Sequence, residues 1–275
     1  MTKKILFTDL DGTLLDDNKQ VSPRSREIFQ RFCEAGNYLA LSSGRDINSV
    51  ADVQRELGFD AFPNMFLIGF NGGQIYDCTK KKTIHKVGLP IEEAVFIIET
   101  ALALGIHCHT YSETHIVSPR DSTELTFYRR IIHTPLLIAP DLRAALTEPP
   151  GKCIAVELTD PVKLEGLRRA IEKELPEVTV MLSSSYLLEF FPRSSGKGTA
   201  ITKLCQILDM DIADSLAAGD QENDLSMLQA AGTGIAMANA IPSLKDACDL
   251  VTQYDNNHDG LARELERMFP QIMQS

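Results

Sequence analysis

Short apolar segments alternate with helix-like segments at both ends of the chain, and this alternation limits the folds that the chain can adopt. Near the N-terminus the apolar segments are Ile5–Thr8, Tyr38–Leu41 and Met65–Ile68. The first helix-like segment between them begins at Ser22-Pro23, where serine caps the helix and proline occupies its first position. The second covers Ile47–Leu57. This order of strands and helices predicts a parallel sheet covered by helices.

The same alternation returns near the C-terminus. In order, the segments predict a helix, a strand, a helix, two short strands and a final helix: Lys197–Leu208, Leu216–Ala218, Asn223–Ala230, Gly234–Ala236, Leu250–Val251 and Leu261–Met268. Neither end alone has enough strands for a stable sheet. We therefore expect both ends, residues 1–83 and 193–275, to form one α/β core.

The middle of the chain, residues 84–192, has a different pattern. The change begins with a predicted antiparallel hairpin, Gln74–Tyr76 with Thr83–Val87. Strands and helices then follow without the parallel order, and prolines interrupt them; the predicted elements are Ile91–Leu104, Ile106–Tyr111, His115–Val117, Ile154–Leu158, Asp160–Leu175, Val178–Leu182 and Tyr186–Phe191. We interpret this region as an inserted α+β domain. Two sequential domains are the alternative, which the shortage of strands at either end disfavours.

Composition excludes several classes of protein. The 275-residue chain has a formal net charge of −11, so neither nucleic acid nor an anionic membrane is expected as a partner. An anionic substrate would need a local cation, either a metal ion or a basic side chain. The six cysteines are scattered without a C-x-x-C pair, which argues against a zinc or thioredoxin-like redox site.

No targeting signal is expected at the N-terminus. Met-Thr-Lys-Lys leads directly into the apolar segment that begins at Ile5, without a signal-peptide core. No apolar run in the sequence is long enough to span a bilayer. A soluble cytoplasmic protein is expected, as a monomer or a homodimer.

Two carboxylates, Asp9 and Asp11, follow the first predicted strand. In an open parallel sheet, ligands bind beyond the carboxyl ends of the strands. Gly12 gives this turn the backbone freedom that lets both carboxylates approach one centre. Two carboxylates suit Mg²⁺, which prefers oxygen ligands and shares its shell with phosphate. Taken alone, the segment could also be an ordinary acidic turn.

Polar turns also follow the second and third predicted strands. Ser43, Gly44 and Arg45 come after the second strand, where a hydroxyl and backbone N–H groups can hold a phosphate oxygen. Asn71 opens the turn after the third strand, which a hairpin would also explain. Each segment could also be a plain polar turn.

A lysine and a second acidic segment lie in the C-terminal part of the core. Lys197 opens a predicted helix without the arrangement of a nucleotide P-loop, and it could be a solvated surface lysine or could neutralise a phosphate. Asp220 follows the strand Leu216–Ala218, and Asp224 lies one helical turn further on. Carboxylates crowded at one sheet edge would repel each other, and a divalent cation with a lysine would make the cluster tolerable.

Together these segments resemble the four motifs of the haloacid dehalogenase (HAD) superfamily, and above all its Cof-like, type IIB phosphatases. The segments that carry the resemblance are Asp9–Thr13, Ser43–Arg45, Lys197 and Gly219–Asp224, with Asn71–Gly73 and Ala236–Ala240 as further marks. The resemblance covers both core segments. It implies a Rossmann-like HAD core, an inserted α+β cap domain that selects the substrate, and Mg²⁺ as the cofactor.

The resemblance also implies a role for each motif residue in phosphoryl transfer. Asp9 would be the nucleophile, and Asp11 the general acid and then the general base. The implied phosphate-binding residues are Ser43, Gly44, Arg45, Asn71, Lys197 and Asn223. The implied metal ligands are Asp9, Asp11 through its backbone carbonyl, Asp220 and Asp224, of which Asp224 would orient the metal shell or Lys197. Ser43 stands where many members carry threonine, and the hydroxyl is kept.

The predicted cap contains five of the six histidines, namely His85, His107, His109, His115 and His133. Strand alternation places His107, His109 and Tyr111 on one face, where they could recognise a sugar or a carboxylate. Polar residues with satisfied hydrogen bonds on an open sheet face are the favoured interpretation.

Other polar residues of the predicted cap are weaker candidates. Arg120, Arg129 and Arg130 are expected on a solvated helix face, although a second anionic group could use them. Near the return to the core, the candidates for hinge or cap-lining positions are Glu189, Phe191 and Arg193.

The predicted function is Mg²⁺-dependent hydrolysis of small phosphorylated metabolites, sugar phosphates first, through an aspartyl-phosphate on Asp9. A sugar phosphomutase of the same superfamily is one alternative, and phosphate release without a bisphosphate activator would argue against it. A non-catalytic protein that binds a phosphorylated ligand is the second alternative, but it would have no need of both Asp9 and Asp11.

Overall fold

The apolar segments at the two ends of the chain come together in one unit. The structure, a computed structural model, describes residues 2–130 and 132–271. Its first unit consists of Met1–His85 and Gly196–Ser275, and its second unit of Lys86–Ser195. His85, which the sequence assigned to the inserted domain, therefore belongs to the first unit.

Fourteen strands and ten α-helices occur in the described residues. The strands are β1 (Ile5–Thr8), β2 (Tyr38–Ser42), β3 (Met65–Gly69), β4 (Gln74–Asp77), β5 (Lys82–Lys86), β6 (His107–Tyr111), β7 (Ile116–Ser118), β8 (Leu136–Ile138), β9 (Cys153–Val156), β10 (Val178–Ser184), β11 (Leu187–Pro192), β12 (Ser215–Gly219), β13 (Thr233–Ala236) and β14 (Leu250–Val251). The helices are α1 (Pro23–Glu34), α2 (Ile47–Glu56), α3 (Ile91–Ala103), α4 (Thr123–Tyr128), α5 (Leu142–Ala145), α6 (Val162–Glu174), α7 (Lys197–Ile207), α8 (Leu225–Ala230), α9 (Pro242–Asp246) and α10 (Gly260–Met268). Within the described residues, no helix has the length and apolar character that crossing a membrane requires.

The sheet of the first unit has eight strands in the order β14-β13-β12-β1-β2-β3-β4-β5. The six strands from β14 to β3 are parallel, and β4 runs antiparallel to β3. β1 lies between the two ends of the chain, since Thr8 pairs with Ala218 on β12 and with Leu41 on β2. All residues of β1, β3 and β12 are buried, as expected for a parallel sheet covered on both faces. The predicted α/β class with a parallel sheet is confirmed.

Helix α1 shows how the sequence forms a covering layer. The side chain of Ser22 caps the helix by accepting a hydrogen bond from the backbone N–H of Ser25, and Pro23 occupies the first turn. Phe29 and Phe32 lie on the buried face of the helix. Burial of each phenylalanine contributes about 1.5–3 kcal/mol, so this apolar face supplies much of the free energy that attaches the helix.

The parallel order brings the carboxyl ends of β1, β2, β3 and β12 to one edge of the sheet. The sheet hydrogen bonds continue to the first residue beyond two of these strands. The amide of Asp9 donates a 3.0 Å bond to the carbonyl of Ala218, and the amide of Ser43 donates a 2.9 Å bond to that of Ile68. The loops at this edge therefore start from fixed backbone positions.

The sheet of the second unit has six strands in the order β10-β11-β9-β6-β7-β8. Neighbouring strands are antiparallel except for β7 and β8, which are parallel. Alternate residues such as Cys108, Ala155 and Phe190 join an apolar cluster that includes Ile98 on α3 and Leu167 on α6. This packing covers one face of the sheet with helices.

Short elements of the structure were missed in the sequence. In the second unit, β8 and α5 lie in a region where prolines were interpreted only as interruptions. Pro135 and Pro140 flank β8, which lies at the edge of its sheet. Prolines are tolerated there, because the backbone N–H that each lacks is not needed to pair with a neighbouring strand. In the first unit, the five-residue helix α9 was also not predicted.

Candidate active site

Three carboxylates from the two ends of the chain meet at the carboxyl edge of the first unit's sheet. Asp9 follows β1, Asp220 follows β12, and Asp224 ends a short 3₁₀ turn, Glu222–Asp224, before α8. One oxygen atom of each carboxylate lies within 4.8 Å of the others. All three residues are buried, so water screens their mutual repulsion only weakly.

Lys197 places a positive charge in this carboxylate cluster. It is the first residue of α7, and it is only 2% exposed. Its Nζ donates one hydrogen bond to Oδ1 of Asp9 and another, 2.6 Å long, to Oδ1 of Asp224. A single lysine balances only one of three ionised carboxylates, so the cluster keeps an excess of negative charge.

Asp224 is held by backbone N–H groups of the loop after β12. Its Oδ2 accepts hydrogen bonds from the amides of Asp220, at 3.0 Å, and of Gln221, at 3.2 Å. Gly219 allows this close approach, because a Cβ atom at that position would lie 2.4 Å from Cβ of Asp224. Asp224 therefore uses one oxygen to hold the loop and the other to hold Lys197.

Asp220 is oriented by two side chains and by the shape of the turn after β1. Its Oδ1 accepts a 2.9 Å hydrogen bond from the hydroxyl of Thr13, and its Oδ2 accepts a 3.1 Å bond from Nε2 of Gln221. Gly12 has a φ of 78°, and a Cβ atom there would lie 2.5 Å from Oδ2 of Asp220. The carbonyl of Gly12 accepts a 2.7 Å hydrogen bond from Asn239. Glycine is thus required for both its conformation and its small size.

Burial and crowding shift the pKa values of these groups. Burial raises the pKa of Asp9 to about 7; Asp224 and Asp220 add to this rise, whereas Lys197 opposes it. Burial raises the pKa of Asp220 as well. Burial alone would lower the pKa of Lys197, but the carboxylates of Asp9 and Asp224 outweigh it and raise that pKa. The lysine therefore stays charged, while full ionisation of the carboxylates near neutral pH needs a further cation.

The donor set fits a divalent metal ion. Carboxylate oxygens from Asp9, Asp220 and Asp224 lie close enough together to hold one ion. Oxygen atoms are the ligands that hard cations such as Mg²⁺ prefer. A bound cation would also favour the ionised forms of the carboxylates whose pKa values burial raises.

The side chain of Asp11 lies outside this carboxylate cluster. Nη2 of Arg45 donates hydrogen bonds of 3.1 and 2.8 Å to its two oxygens, and Nζ of Lys19 donates a 2.7 Å bond to Oδ1. Burial would raise the pKa of Asp11, but Lys19 and Arg45 outweigh it and lower that pKa below the usual range. Arg45, which the resemblance implied as a phosphate ligand, therefore contacts Asp11.

Four of the six expected phosphate-binding residues lie in the adjacent loops after β2 and β3, namely Ser43, Gly44, Arg45 and Asn71. The amide of Asn71 donates a 3.1 Å hydrogen bond to the carbonyl of Ser43. Asn71 has a φ of 53°, and a Cβ atom at Gly44 would lie 2.9 Å from its Oδ1. Ser43 and Asn71 are buried. Asn223, which was also expected to bind phosphate, is exposed in the turn before Asp224.

The histidine strand of the second unit is buried, which corrects the expectation of an open sheet face. His107 and His109 on β6 are 2% and 0% exposed. Nδ1 of His107 lies 3.0 Å from the hydroxyl of Ser122, and its Nε2 lies 3.2 Å from Nδ1 of His109. Nε2 of His109 has no hydrogen-bond partner in the described part of the chain. The favoured interpretation was that these polar side chains have hydrogen-bond partners. It is correct for both ring nitrogens of His107 and wrong for Nε2 of His109.

Their burial also keeps these histidines neutral. It lowers the pKa of His107 to about 4, and it lowers the pKa of His109 well below the usual value. Tyr111, on the same strand face, is buried with its hydroxyl 2.5 Å from that of Tyr128. His115 is partly exposed and His133 is exposed.

The remaining candidates of the second unit differ in their surroundings. Its three arginines are exposed as expected, but they flank α4 instead of lying on a helix face: Arg120, Arg129 and Arg130. Glu189 forms a buried ion pair with Lys152, in which Nζ and Oε2 are 2.9 Å apart. Phe191 is buried and Arg193 is exposed.

Three side chains that support the first unit's site were not assigned from the sequence. Thr13 and Asn239 lie inside the motif segments, so the motifs contained a signal for both. Lys19 lies in a loop without a recognisable pattern, and only the folded geometry reveals its contact with Asp11.

Comparison with known proteins agrees with this geometry. A family model described as haloacid dehalogenase-like hydrolase matches residues 6–265, which is most of the chain. The chain belongs to the haloacid dehalogenase-like hydrolase family. This membership confirms the HAD resemblance and the predicted hydrolase class.

Three proteins illustrate the similarity of this HAD-family chain to its relatives. The 5-amino-6-(5-phospho-D-ribitylamino)uracil phosphatase YwtE of Bacillus subtilis (strain 168) is 30% identical over 289 residues, which cover 96% of this chain and 98% of the relative. A haloacid dehalogenase-like hydrolase from Bacteroides thetaiotaomicron is 30% identical, with a TM-score of 0.88 and coverage of 98% and 100%. A structure described as a HAD subclass IIB sugar phosphatase is 20% identical, with a TM-score of 0.78 and coverage of 97% and 99%, and it supports the fold alone.

Proposed function

We propose that this chain is a Mg²⁺-dependent phosphatase that hydrolyses small phosphorylated metabolites, in particular sugar phosphates, through an aspartyl-phosphate on Asp9. The observation that carries the proposal is the position of Lys197, whose Nζ contacts both Asp9 and Asp224 inside a cluster of three carboxylates. A lysine and a divalent cation together can offset the charge of a phosphoryl group that approaches these carboxylates.

Asp9 is the nucleophile in this proposal. Its backbone is hydrogen-bonded to β12, and its Oδ1 is hydrogen-bonded to Lys197, so the carboxylate is held before the substrate arrives. Attack forms a bond between a carboxylate oxygen of Asp9 and phosphorus, while the bond from phosphorus to the leaving oxygen breaks. A fixed nucleophile lowers the entropic part of the barrier to this step.

In this proposal Asp11 is the general acid in the first step and the general base in the second. It donates a proton to the leaving oxygen, and as a carboxylate it then accepts a proton from the water that attacks the phosphorus of the aspartyl-phosphate. This second attack releases inorganic phosphate and restores the carboxylate of Asp9. Lys19 and Arg45 lower the pKa of Asp11 and so favour its ionised form, which suits the general-base step; the general-acid step requires Asp11 to take up a proton first.

The other motif residues bind the phosphoryl group and the metal. The hydroxyl of Ser43, the amide of Gly44 and the side chains of Asn71, Asn223 and Lys197 bind the phosphoryl oxygens. The residues that would hold Mg²⁺ are Asp9, Asp220 and the backbone carbonyl of Asp11, with Asp224 orienting the metal shell or Lys197. When bound, the ion supplies positive charge that offsets the charge of the transferred group.

The substrate class rests on the family and on one relative. The name of the Bacillus relative places the phosphate of its substrate on a D-ribityl chain, which is a sugar-like polyol. We extend this class of substrate to the present chain, with the second unit as the cap that selects among such molecules. The cytoplasmic location and the monomeric or homodimeric state stay predictions from the sequence.

A screen of about a hundred phosphorylated metabolites, with and without Mg²⁺, tests the proposal by phosphate release. Release from sugar phosphates without added sugar bisphosphate would support a phosphatase over a phosphomutase. Asp9→Asn should abolish turnover and leave the far-UV circular dichroism unchanged. Asp52→Asn, at a residue of α2 whose side chain is 43% exposed and paired with Arg55, is the matched control and should stay fully active. Undiminished turnover in Asp9→Asn would refute the nucleophile.

A further inference from the structure

Asp9 and Asp11 are two residues apart, yet their carboxylates have different partners. Asp9 contacts Lys197 in the buried cluster. The side chain of Asp11 is 41% exposed and contacts two cations, Arg45 and Lys19, which come from separate loops. Water can solvate a carboxylate that is so exposed, so two cations are more than its charge requires. Together the two contacts also restrict where this carboxylate lies.

Arg45 is itself held by the loops at the sheet edge. Its carbonyl accepts a 2.8 Å hydrogen bond from the amide of Phe70, and its amide donates a 3.3 Å bond to the hydroxyl of Ser43. The side chain is less exposed than that of Asp11, at 23%, and its Nη2 reaches both oxygens of Asp11. Arg45 therefore contacts the carboxylate from a fixed backbone position.

Lys19 contacts Asp11 from a tight turn. Oδ1 of Asp16 accepts hydrogen bonds from the amides of Asn18, at 2.9 Å, and Gln20, at 2.8 Å. The amide of Lys19 donates a 3.0 Å bond to the carbonyl of Asp16. Lys19 has a φ of 62°, a left-handed conformation that is uncommon for a residue with a Cβ atom. Hydrogen bonds of the turn thus define the backbone position of Lys19.

Two asparagines attach this segment to the opposite side of the sheet edge. Asn239, after β13, donates a 2.7 Å hydrogen bond to the carbonyl of Gly12. Asn256, after β14, donates a 3.0 Å bond to the carbonyl of Leu15. The segment between Asp11 and Lys19 is therefore tied at two points, Gly12 and Leu15, to the loops after β13 and β14.

We propose that Arg45 and Lys19 are positioning residues that hold the carboxyl group of Asp11 where it serves the leaving oxygen. The inference rests on the proposed function, in which Asp11 is the proton donor. In this inference Arg45 positions the carboxyl group of Asp11 instead of binding phosphate. Lys19, which lies in none of the sequence motifs, has the same role. Without the two cations the carboxyl group would occupy several rotamers, and fewer of them would be productive.

The dependence on the leaving group separates positioning of the acid from phosphate binding. An alkyl phosphate needs a proton on its departing oxygen, whereas p-nitrophenolate departs readily without one. A defect in Asp11 or in its positioning should therefore slow alkyl phosphates selectively. A defect in phosphate binding should slow both kinds of substrate equally, since both carry the same phosphoryl group.

The experiment compares kcat/KM for p-nitrophenyl phosphate and for the best alkyl phosphate of the metabolite screen. Arg45→Met should lower the alkyl value by about 100-fold and the aryl value by less than about tenfold. Lys19→Met, which breaks a more exposed contact, should lower the alkyl value by about fivefold and leave the aryl value unchanged. Arg45→Lys and Lys19→Arg should recover part of the alkyl activity.

Two variants serve as matched controls, and neither should change either value. Lys80→Met removes a lysine whose side chain is 57% exposed, against 60% for Lys19, and which pairs with Asp77 at 3.1 Å. Arg24→Met removes an arginine that pairs with Glu266 at 2.6 Å. In an Asp11→Asn background, Arg45→Met should cause no further alkyl-selective loss, because the group that it positions is already absent.

Asp11→Asn separates failure of this inference from failure of the proposed function. An alkyl-selective loss in Asp11→Asn without one in Arg45→Met or Lys19→Met would overturn the positioning role alone. Equal losses on both substrates in Arg45→Met would also overturn it and favour phosphate binding. Equal losses in Asp11→Asn would contradict the proton-donor role and the positioning role together.

Discussion

The hydroxyl of Thr13 donates a 2.9 Å hydrogen bond to Oδ1 of Asp220, which lies 207 residues further along the chain. Both residues are buried, so water does not replace this bond when it is lost. The bond orients one of the three carboxylates that could hold a metal ion. Hydrogen bonds to a ligating carboxylate fix its direction, and their removal commonly weakens metal binding.

Thr13→Val should therefore weaken Mg²⁺ binding by about tenfold, because it removes the hydroxyl and keeps the shape of the side chain. The value of kcat at saturating Mg²⁺ should change little. The Mg²⁺ dependence of phosphate release measures the effect. Thr100→Val is the control, since the hydroxyl of Thr100 donates a 2.7 Å hydrogen bond to the carbonyl of Phe96 within α3, away from the carboxylates of the site. An unchanged Mg²⁺ dependence in Thr13→Val would show that the bond does not orient Asp220.

Metal binding should depend on pH through Asp9. Burial raises the pKa of Asp9 to about 7 in the metal-free protein, so below that pH the carboxyl group holds a proton that a metal ion must displace. Affinity for Mg²⁺ should fall by up to about tenfold per pH unit below pH 7 and level off above it. Titration calorimetry in two buffers of different ionisation enthalpy counts the released protons. Proton release that is the same on both sides of pH 7 would contradict the raised pKa.

The parallel sheet and the carboxylate cluster were predictable from the sequence for a common reason. Buried parallel strands are short apolar runs, and the loops that follow them meet at one edge of the sheet. Asp9 and Asp220 could therefore be placed together without knowledge of the intervening residues. The position of Lys197 at the start of α7 was also predictable, because a helix start can be recognised locally.

Contacts that depend on side-chain direction were not predictable. The position of Arg45 in the sequence is compatible with contact to a phosphate or to Asp11. Which of the two it contacts depends on its side-chain rotamer, which the spacing of residues in the sequence does not determine. The contact between Lys19 and Asp11 needs a left-handed residue in a turn without a sequence pattern. Strand alternation placed His107 and His109 on one face correctly, but it cannot show whether other residues cover that face.

The buried ion pair of Lys152 and Glu189 should make the second unit sensitive to single substitutions there. Lys152→Met leaves the carboxylate of Glu189 buried without its cation, and Glu189→Leu leaves the lysine without its anion. Each should lower the free energy of unfolding by about 3–5 kcal/mol. The double variant should lose less than either single variant, because no unpaired charge remains.

Urea denaturation measures these losses of stability. Unfolding is monitored by circular dichroism, because the chain has no tryptophan whose fluorescence could report it. Lys173→Met removes a lysine whose side chain is 80% exposed and should change stability by no more than about 0.5 kcal/mol. A double variant less stable than both single variants would show that the pair itself stabilises the second unit.

His107 should make the protein less stable as the pH falls below its ordinary titration range. Burial lowers the pKa of His107 to about 4 from a usual value of 6.5, so between these values the unfolded chain binds a proton that the folded chain does not. The free energy of unfolding should then fall with decreasing pH, at most by about 1.4 kcal/mol per pH unit for this group. The raised pKa of Asp9 acts in the opposite sense over an overlapping range, so wild type must be compared with His107→Gln. Urea denaturation at several pH values should give a shallower acid-side loss in the variant, and identical slopes would mean that His107 titrates alike in both states.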